Sequence, residues 1–399
     1  MNKLTKVGVS ALCGSLAAVA SAQAGEMTVT GGASMTYMSL DDEVTGNPLG
    51  MATGMTFTGT GELDNGAAVT LTIANTHKNA YTGSSITVAT PSLGTWKYDE
   101  KGGTGIDRID DMMPTAWEEV DGTGIGMGLQ TVSGVGGGSD IEWTLPAEWS
   151  MGSTVHVSYA FHPDGSYNSK KGASGATDSG AVDGSGYDIV VSNNSAVEGL
   201  NMFAGYSKIS GANNAAGNQA LSDNEQMAGG FTYAVGGFTL GYQQSYNSNE
   251  ITYDNQAYAV SFAVNDNLSV SYGKGDASTG VSTTEADATT MKASYAYGSF
   301  TVAYSNNDYQ TAVANSDQET TSYKVSYTVS DELSISYGQE EIEKENDSDD
   351  AEFEAITVAY TSGGMTLTAS AKESTNAAHN SASTIDDRDY WSLGLAFAF

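Results

Sequence analysis

The second half of the chain repeats one pattern about every 32 residues, and this repeat limits the possible folds more than any other feature. Each copy has two segments in which apolar and polar residues alternate, joined by a very short turn and followed by a long polar loop. In one copy Gly298-Ser299 is the turn between 289–297 and 300–306. Alternation with period two, bounded by Gly, Ser, Asn and Asp, predicts β-hairpins. An all-β, antiparallel fold is therefore expected.

The connections between the predicted strands are of two lengths. Short turns lie near residues 64, 91, 195, 235, 266, 298, 330 and 362, with a longer one near 148. Long polar loops lie at 39–50, 99–138, 163–186, 209–225, 275–287, 307–319, 341–351 and 374–387. Short turns at one rim and long loops at the other are typical of a transmembrane β-barrel. Nine short turns and a closing pair of first and last strands give 20 strands, and weak patterning near 84–99 and 139–145 leaves an even number from 16 to 20.

The two faces of the predicted strands differ in chemistry. One face carries aliphatic and aromatic residues, and the other carries Ser, Thr, Gly and an occasional charge. The apolar face suits lipid, and the polar face suits a water-filled lumen. A repeated soluble β-sandwich or propeller is the alternative, but its connections would not alternate in length so regularly.

The N-terminal residues 1–24 have the layout of a secretory signal peptide. Lys3 and Lys6 precede an apolar run at 7–19, and Ala22-Gln23-Ala24 has the small-x-small form of a cleavage site. The run is shorter than the roughly 20 residues that a membrane-spanning helix needs. The only cysteine, Cys13, lies in this segment. We expect one exported domain at 25–399 without disulfides or a Cys-based metal site.

The last strand alternates up to the final residue. Trp391, Phe397 and Phe399 share its apolar face, so the C-terminal residue itself is expected to be structural, whereas chain ends usually fray. This strand resembles the closing strand of bacterial outer-membrane barrels, which ends in Phe and is recognised by the assembly machinery. Over its whole exported length the chain resembles the general diffusion porins, a Gram-negative family of trimers. Porins have roughly 16 to 18 strands, fewer than the 20 counted in this sequence.

The charge of the chain excludes several partners. Leaving out Lys3 and Lys6 reduces the 15 basic residues to 13 against 48 acidic ones, a formal charge of −35. This charge argues against nucleic-acid binding, which needs clustered Lys and Arg to neutralise phosphates. The same charge disfavours peripheral binding to anionic lipid surfaces.

The insertion 99–138 is the third connection at the long-loop rim when the shorter one between the turns near 64 and 91 is counted. At this position the resembled porins fold a loop inward to narrow the pore. The insertion carries an acidic cluster that the resemblance assigns to the constriction: Asp107, Asp110, Asp111, Glu118, Glu119 and Asp121. An external loop with solvated charges is the alternative. The opposing basic wall would come from residues on the lumen-facing positions: Lys97, Lys292, Lys324, Lys372 and Arg388. Family members mostly use Arg there. An acidic loop against a basic wall would select ions by charge, and we expect weak cation selectivity.

The resemblance implies passive diffusion of small hydrophilic solutes through the outer membrane, in contact with the lipid bilayer and lipopolysaccharide. A substrate-selective channel, or a non-conducting structural or adhesive barrel, is the alternative. No motif indicates an enzyme or a cofactor. The glycine-rich segment 122–128 lacks the Lys-Ser/Thr and the helix of a phosphate loop. The acidic run 340–354 has carboxylates that could bind Ca²⁺, but without a ligand spacing that supports it.

Overall fold

The computed structural model describes residues 25–39, 47–77, 82–100, 102–110, 112, 132–135, 140–161, 185–212, 222–248, 253–279, 285–345, 349–377 and 387–398. The predicted signal peptide at 1–24, the C-terminal Phe399 and most of the middle of the 99–138 insertion lie outside these residues.

Twenty β-strands and one 3₁₀ turn, Gly105–Ile109, form the regular structure of these residues. The first ten strands are β1 Met27–Met38, β2 Leu49–Glu62, β3 Ala68–Thr76, β4 Gly83–Thr90, β5 Gly94–Asp99, β6 Asp140–Thr144, β7 Thr154–Ala160, β8 Gly186–Asn193, β9 Leu200–Ala212 and β10 Ser222–Val235. The other ten are β11 Phe238–Asn247, β12 Tyr253–Ala263, β13 Leu268–Thr279, β14 Ala286–Tyr297, β15 Phe300–Thr311, β16 Gln318–Thr328, β17 Leu333–Lys344, β18 Ala351–Ser362, β19 Met365–Thr375 and β20 Arg388–Ala398. No helix among the described residues is long and apolar enough to cross a membrane.

The strands form one closed ring. Each strand pairs antiparallel with its neighbours in sequence, as β14 does with β13 and β15. The ring closes because β1 also pairs with β20, in a register from Gly32 opposite Ala398 to Met38 opposite Ser392. The fold is therefore an all-β, antiparallel barrel of 20 strands. This confirms the predicted fold class and the count of 20.

Alternation along each strand separates an apolar outer face from a polar lumen. On β8, Tyr187, Ile189 and Val191 are exposed, whereas Asp188 and Val190 between them are fully buried. The same outward parity holds around the ring, for example at Phe57, Leu71, Trp96, Met202, Leu240, Val270, Val302, Ile335, Leu367 and Leu393. A soluble monomer rarely exposes an apolar surface larger than a few hundred Å², so this continuous band fits a lipid environment.

Three of the short turns depend on glycine. Gly236, Gly298 and Gly363 each have φ near +59° and each begins a two-residue connection, as Gly298 does between Tyr297 and its partner Phe300. Two-residue hairpin loops need positive φ at the first central position, where a side chain would be strained.

One side of the barrel wall is short. Strands β4 to β8 have 5 to 8 residues, whereas β14, β15 and β17 have 12 each. The chain leaves the wall after Asp99 at the end of β5 and returns at Asp140 at the start of β6. The 99–138 insertion thus begins and ends partway up the wall.

On the opposite side the strands extend further than the sequence predicted. The expected loop 307–319 was wrong in its bounds, because β15 continues to Thr311 and β16 begins at Gln318, with Asp308 paired to Glu319. The outer face of this extension is polar, so the apolar alternation ends while the backbone ladder continues.

Candidate functional site

Two described parts of the 99–138 insertion lie against the lumen face of the wall. We call them the inner shelf: residues 102–110 and 112, where the chain leaves β5, and 132–135, where it returns toward β6. Ile106, Ile109 and Val132 of the shelf are buried against Val190 of β8 and Phe203 of β9. Ala228 of β10 and Ala257 of β12 complete this cluster, and Val135 packs separately on Ala160 and Ile209.

The apolar side chains of the shelf explain its position. Ile106 and Val135 are 0% exposed, and full burial of such a side chain stabilises by about 1.5–3 kcal/mol. The wall offers a matching depression at Gly205 on β9. A Cβ at this glycine would lie 2.9 Å from both Ile106 Cγ1 and Ile109 Cδ1, so the absence of a side chain makes room for the shelf.

Polar wall side chains on four strands fix the shelf backbone. Glu142 on β6 accepts the Gly105 N–H (3.0 Å) and is paired with the shelf guanidinium of Arg108 at 2.5 Å. Asp188 on β8 accepts the N–H groups of Ile106 (2.9 Å) and Val135 (3.1 Å).

Two glutamines extend this hydrogen bonding around the wall. Gln226 Oε1 on β10 accepts the Ser133 and Gly134 N–H groups, both at 3.0 Å. Gln243 on β11, which is 0% exposed, accepts the Met112 N–H at 2.9 Å and donates to the carbonyls of Ile109 (3.0 Å) and Asp110 (2.7 Å). The described shelf is thus bonded to β6, β8, β10 and β11.

Lumen-facing carboxylates are concentrated on the short side of the barrel. Four lie on three strands of this side, β5, β6 and β8: Asp99, Asp140, Glu142 and Asp188. Several have local partners. Lys97 pairs with Asp99 at 3.3 Å, the Thr104 hydroxyl donates to Asp140 at 2.7 Å, and His156 Nδ1 lies 3.4 Å from Glu142.

Lumen-facing cations lie on the other side of the ring. Lys292, Lys324, Lys372 and Arg388 occupy the lumen parity of β14, β16, β19 and β20. In a ring of twenty strands, β6 lies opposite β16. Lys372 also lies over the Tyr390 ring, 5.8 Å from its centroid. The described lumen therefore has an acidic side at β5–β8 and a mainly basic side at β14–β20, which also carries the carboxylate of Glu340 on β17.

The structure groups the predicted site residues only in part. Lys97 faces the lumen, but it lies on the acidic side, away from the other four cations. Asp107 and Asp110 belong to the inner shelf, and Asp107 accepts the Gly103 N–H at 2.8 Å. Asp111, Glu118, Glu119 and Asp121 lie outside the described residues, as does Phe399. Trp391 and Phe397 lie on the outer face of β20, each 46% exposed.

Five residues of this arrangement were not predicted from the sequence: Asp140, Glu142, Asp188, Gln226 and Gln243. Each lies at a lumen-facing position of a strand. Glu142 and Asp188 have apolar neighbours on both sides in sequence, as in Tyr187-Asp188-Ile189, and the other three have one such neighbour. A long polar side chain at such a position was a usable signal, since most lumen positions carry Ser, Thr, Ala or Gly.

A separate acidic group lies at the outer end of β17 and β18. Carboxylate oxygens of Glu341, Glu343 and Asp350 are within 4.8 Å of one another, and carboxylate oxygens are the ligands that Ca²⁺ prefers. Glu340, in the same predicted run, instead faces the lumen and accepts the Ser322 hydroxyl at 2.9 Å. Exposed acidic groups of this kind are common without an ion.

Comparison with known proteins gives a fold-level likeness only. No family model matches the chain, and no curated protein matches it. Among solved structures, a mutant of Rh. blastica porin is 15% identical, covers 94% of this chain and all of that chain, and has a TM-score of 0.42. A loop-deletion mutant of OmpT, an outer membrane protein of Vibrio cholerae, is 12% identical with a TM-score of 0.38, covering 94% of this chain and 99% of that chain. At these values the likeness assigns no function and no residue role.

Proposed function

We propose that the protein is an outer-membrane channel through which small hydrophilic solutes and ions diffuse passively. The observation that carries the proposal is the closed barrel with an apolar outer band and a polar, charge-bearing lumen. An exposed apolar band needs lipid, and a lumen lined by Ser, Thr and charged groups favours water. The predicted signal peptide at 1–24 supports export to the outer membrane.

The charge separation across the lumen supports ion selectivity. Acidic groups at β5–β8 face basic groups at β14–β20, and such an arrangement creates a transverse field across a water column. We propose weak cation selectivity, because Asp107, Asp110, Asp111, Glu118, Glu119 and Asp121 add acidic groups to the insertion. External carboxylates contribute less, because salt screens them within about 10 Å at 0.1 M.

Assembly and partners follow as further parts of the proposal. A homotrimer with one pore per subunit, contact with lipopolysaccharide, and recognition of the last strand by the outer-membrane assembly machinery all rest on the porin resemblance. Divalent cations at Glu341, Glu343 and Asp350 would bridge this outer rim to anionic lipid headgroups. An enzymatic activity is not proposed, because no motif of the sequence indicates one.

A non-conducting barrel is the second candidate, and one observation favours it. Lumen-facing side chains of β14 to β17, away from the described shelf, are also buried to 2% or less: Thr290, Ser305, Asn307, Thr320, Ser322 and Glu340. Burial of this kind is expected if the lumen is narrow or filled at that level.

Planar-bilayer recording of refolded protein 25–399 in a KCl gradient separates these candidates. Stepwise conductance with a reversal potential that indicates a preference for cations supports the channel. Insertion without conductance favours the non-conducting barrel. Replacing Asp110, Asp111, Glu118 and Glu119 by Asn and Gln is expected to reduce cation preference, and an unchanged reversal potential would contradict the acidic constriction.

A further inference from the structure

Asp188 lies where the two ends of the inner shelf meet. Its side chain points from β8 into the lumen and is 0% exposed. Oδ2 accepts the Ile106 N–H at 2.9 Å and the Val135 N–H at 3.1 Å, and Oδ1 is 3.3 Å from the same Val135 nitrogen. Ile106 follows β5 and Val135 precedes β6. One carboxylate therefore joins two segments that are separated by most of the insertion.

The burial of this carboxylate makes its hydrogen-bond partners important for stability. A fully buried carboxylate costs several kcal/mol unless donors compensate it. Among the described residues no salt bridge to Asp188 is present; the backbone N–H groups of Ile106 and Val135 donate to it, and the Ser207 hydroxyl of β9 also interacts with it. Hydrogen bonds to an ionised acceptor are roughly twice as strong as neutral ones. The shelf and the carboxylate therefore stabilise each other.

Glycines on each segment allow this close approach. Gly105 precedes Ile106 with φ +55°, and Gly134 precedes Val135 with φ +51°. A Cβ on either glycine would collide with the Asp188 carboxylate. Both segments thus carry, next to the donor residue, the residue type that fits a positive φ and leaves space for the acceptor.

The other wall side chains hold one end of the shelf each. Glu142 and Gln243 bond to residues of 102–112, and Gln226 bonds to 133 and 134. Among the residues that the structure describes, Asp188 is the wall side chain with hydrogen bonds to both ends. We propose that Asp188 is a positioning residue that clasps the two ends of the inner shelf to β8 and so fixes the width of the lumen at this level. The effect on conduction rests on the proposed channel function.

The first test compares Asp188→Ala and Asp188→Asn with the unchanged protein in detergent micelles and in planar bilayers. Amide hydrogen exchange reports on the shelf directly. We expect exchange at the Ile106 and Val135 amides to accelerate at least ~10-fold in Asp188→Ala, because two charge-assisted bonds are lost. Asp188→Asn keeps the size and one acceptor oxygen, but its amide group faces the Val135 N–H, and an intermediate effect is expected. Amides of β13–β16 serve as the internal control.

Conductance is the readout that a purely structural role would not move. In Asp188→Ala the open-channel noise is expected to rise and the unitary conductance to depart from the wild-type value. Unchanged amide exchange in β13–β16 would show that the barrel is still folded. A covalent bond between the shelf and β8 should then replace the hydrogen bonds of Asp188. A Cβ at Gly186 would lie 2.7 Å from Val135 Cγ1, so the pair Gly186→Cys and Val135→Cys is close enough for a disulfide once Ile209 Cγ1, 2.9 Å from the new Cβ, has shifted. Residues 25–399 contain no other cysteine.

The disulfide is introduced into the Asp188→Ala background, and the same double-cysteine protein in reductant is the matched control. Oxidation is expected to restore the wild-type conductance and noise, and reduction to remove that rescue. Unchanged exchange at Ile106 and Val135 in Asp188→Ala would overturn the proposal, as would altered exchange with unchanged conductance in an open channel. If the unchanged protein does not conduct, the channel function fails, and the exchange experiment still decides whether Asp188 holds the shelf.

Discussion

Replacement of Gln243 by Leu tests how strongly the wall holds the inner shelf. Gln243 is fully buried and makes three hydrogen bonds to it, from Met112 N–H and to the carbonyls of Ile109 and Asp110. Leu fills most of the same volume but offers no polar atom. At about 0.5–1.5 kcal/mol for each bond, the shelf loses roughly 3 kcal/mol of local stability. Since about 1.4 kcal/mol corresponds to a factor of ten, opening of the shelf becomes about 100-fold more frequent.

Hydrogen exchange followed by mass spectrometry measures this loss on a peptide that spans 106–112, where local opening limits exchange. Gln244→Leu is the matched control, because Gln244 is the next residue of β11 but lies exposed on the outer face, bonded to Asp254. We expect faster exchange in Gln243→Leu and none of this change in Gln244→Leu. If Gln243→Leu exchanges within about threefold of the unchanged protein, the three hydrogen bonds do not hold the shelf, and apolar packing alone must do so.

Three further predictions concern the wall, the lumen and a turn. Val270→Lys places a charge on the outer face, where a charge near mid-membrane costs about 2–4 kcal/mol, so insertion into lipid vesicles should fall. Ser271→Lys on the lumen face should insert normally, and equal insertion of the two variants would contradict the assigned faces. Neutralising Lys292 and Lys324 with Met removes lumen cations, so the reversal potential should shift toward higher cation preference; a shift toward anions would refute the basic side. Gly298→Ala introduces a side chain at φ +59°, and a loss of about 1 kcal/mol in unfolding free energy is expected in urea titration, with an unchanged midpoint speaking against strain in this turn.

The barrel could be predicted from the sequence because the pattern that specifies each strand lies within the strand itself. Alternation within single strands assigns each residue to the outer face or the lumen, so the parity of Lys292, Lys324 and Lys372 was already fixed by their neighbours. The short turns then give the number of strands. Strand ends were less predictable, as the pair Asp308 and Glu319 illustrates. Where both faces of a strand are polar, backbone hydrogen bonds continue without any pattern in the side chains.

The inner shelf could be predicted only in part. Its place in the 99–138 insertion was visible, but the hydrogen bond between Ile106 and Asp188 joins residues 82 positions apart. Gln243 and Ile109 are 134 positions apart. A single sequence contains no signal that links residues so far apart, because their pairing depends on which strands the closed barrel places beneath the insertion. Lys97 is a second example: its parity was predicted, but its grouping with Asp99 depends on the ring.

The uneven height of the wall has a mechanical consequence. A closed barrel resists lateral deformation through the hydrogen bonds between neighbouring strands, and its stiffness is limited by the strand pair with the fewest paired residues. The β6–β7 pair has four paired residues, Ile141 to Thr144, whereas β14–β15 has twelve. The contacts from Glu142, Asp188, Gln226 and Gln243 tie the shelf to four strands on this side of the barrel. The inner shelf therefore also links strands of the wall to one another, and it stiffens the barrel on the side where the strand pairing is shortest.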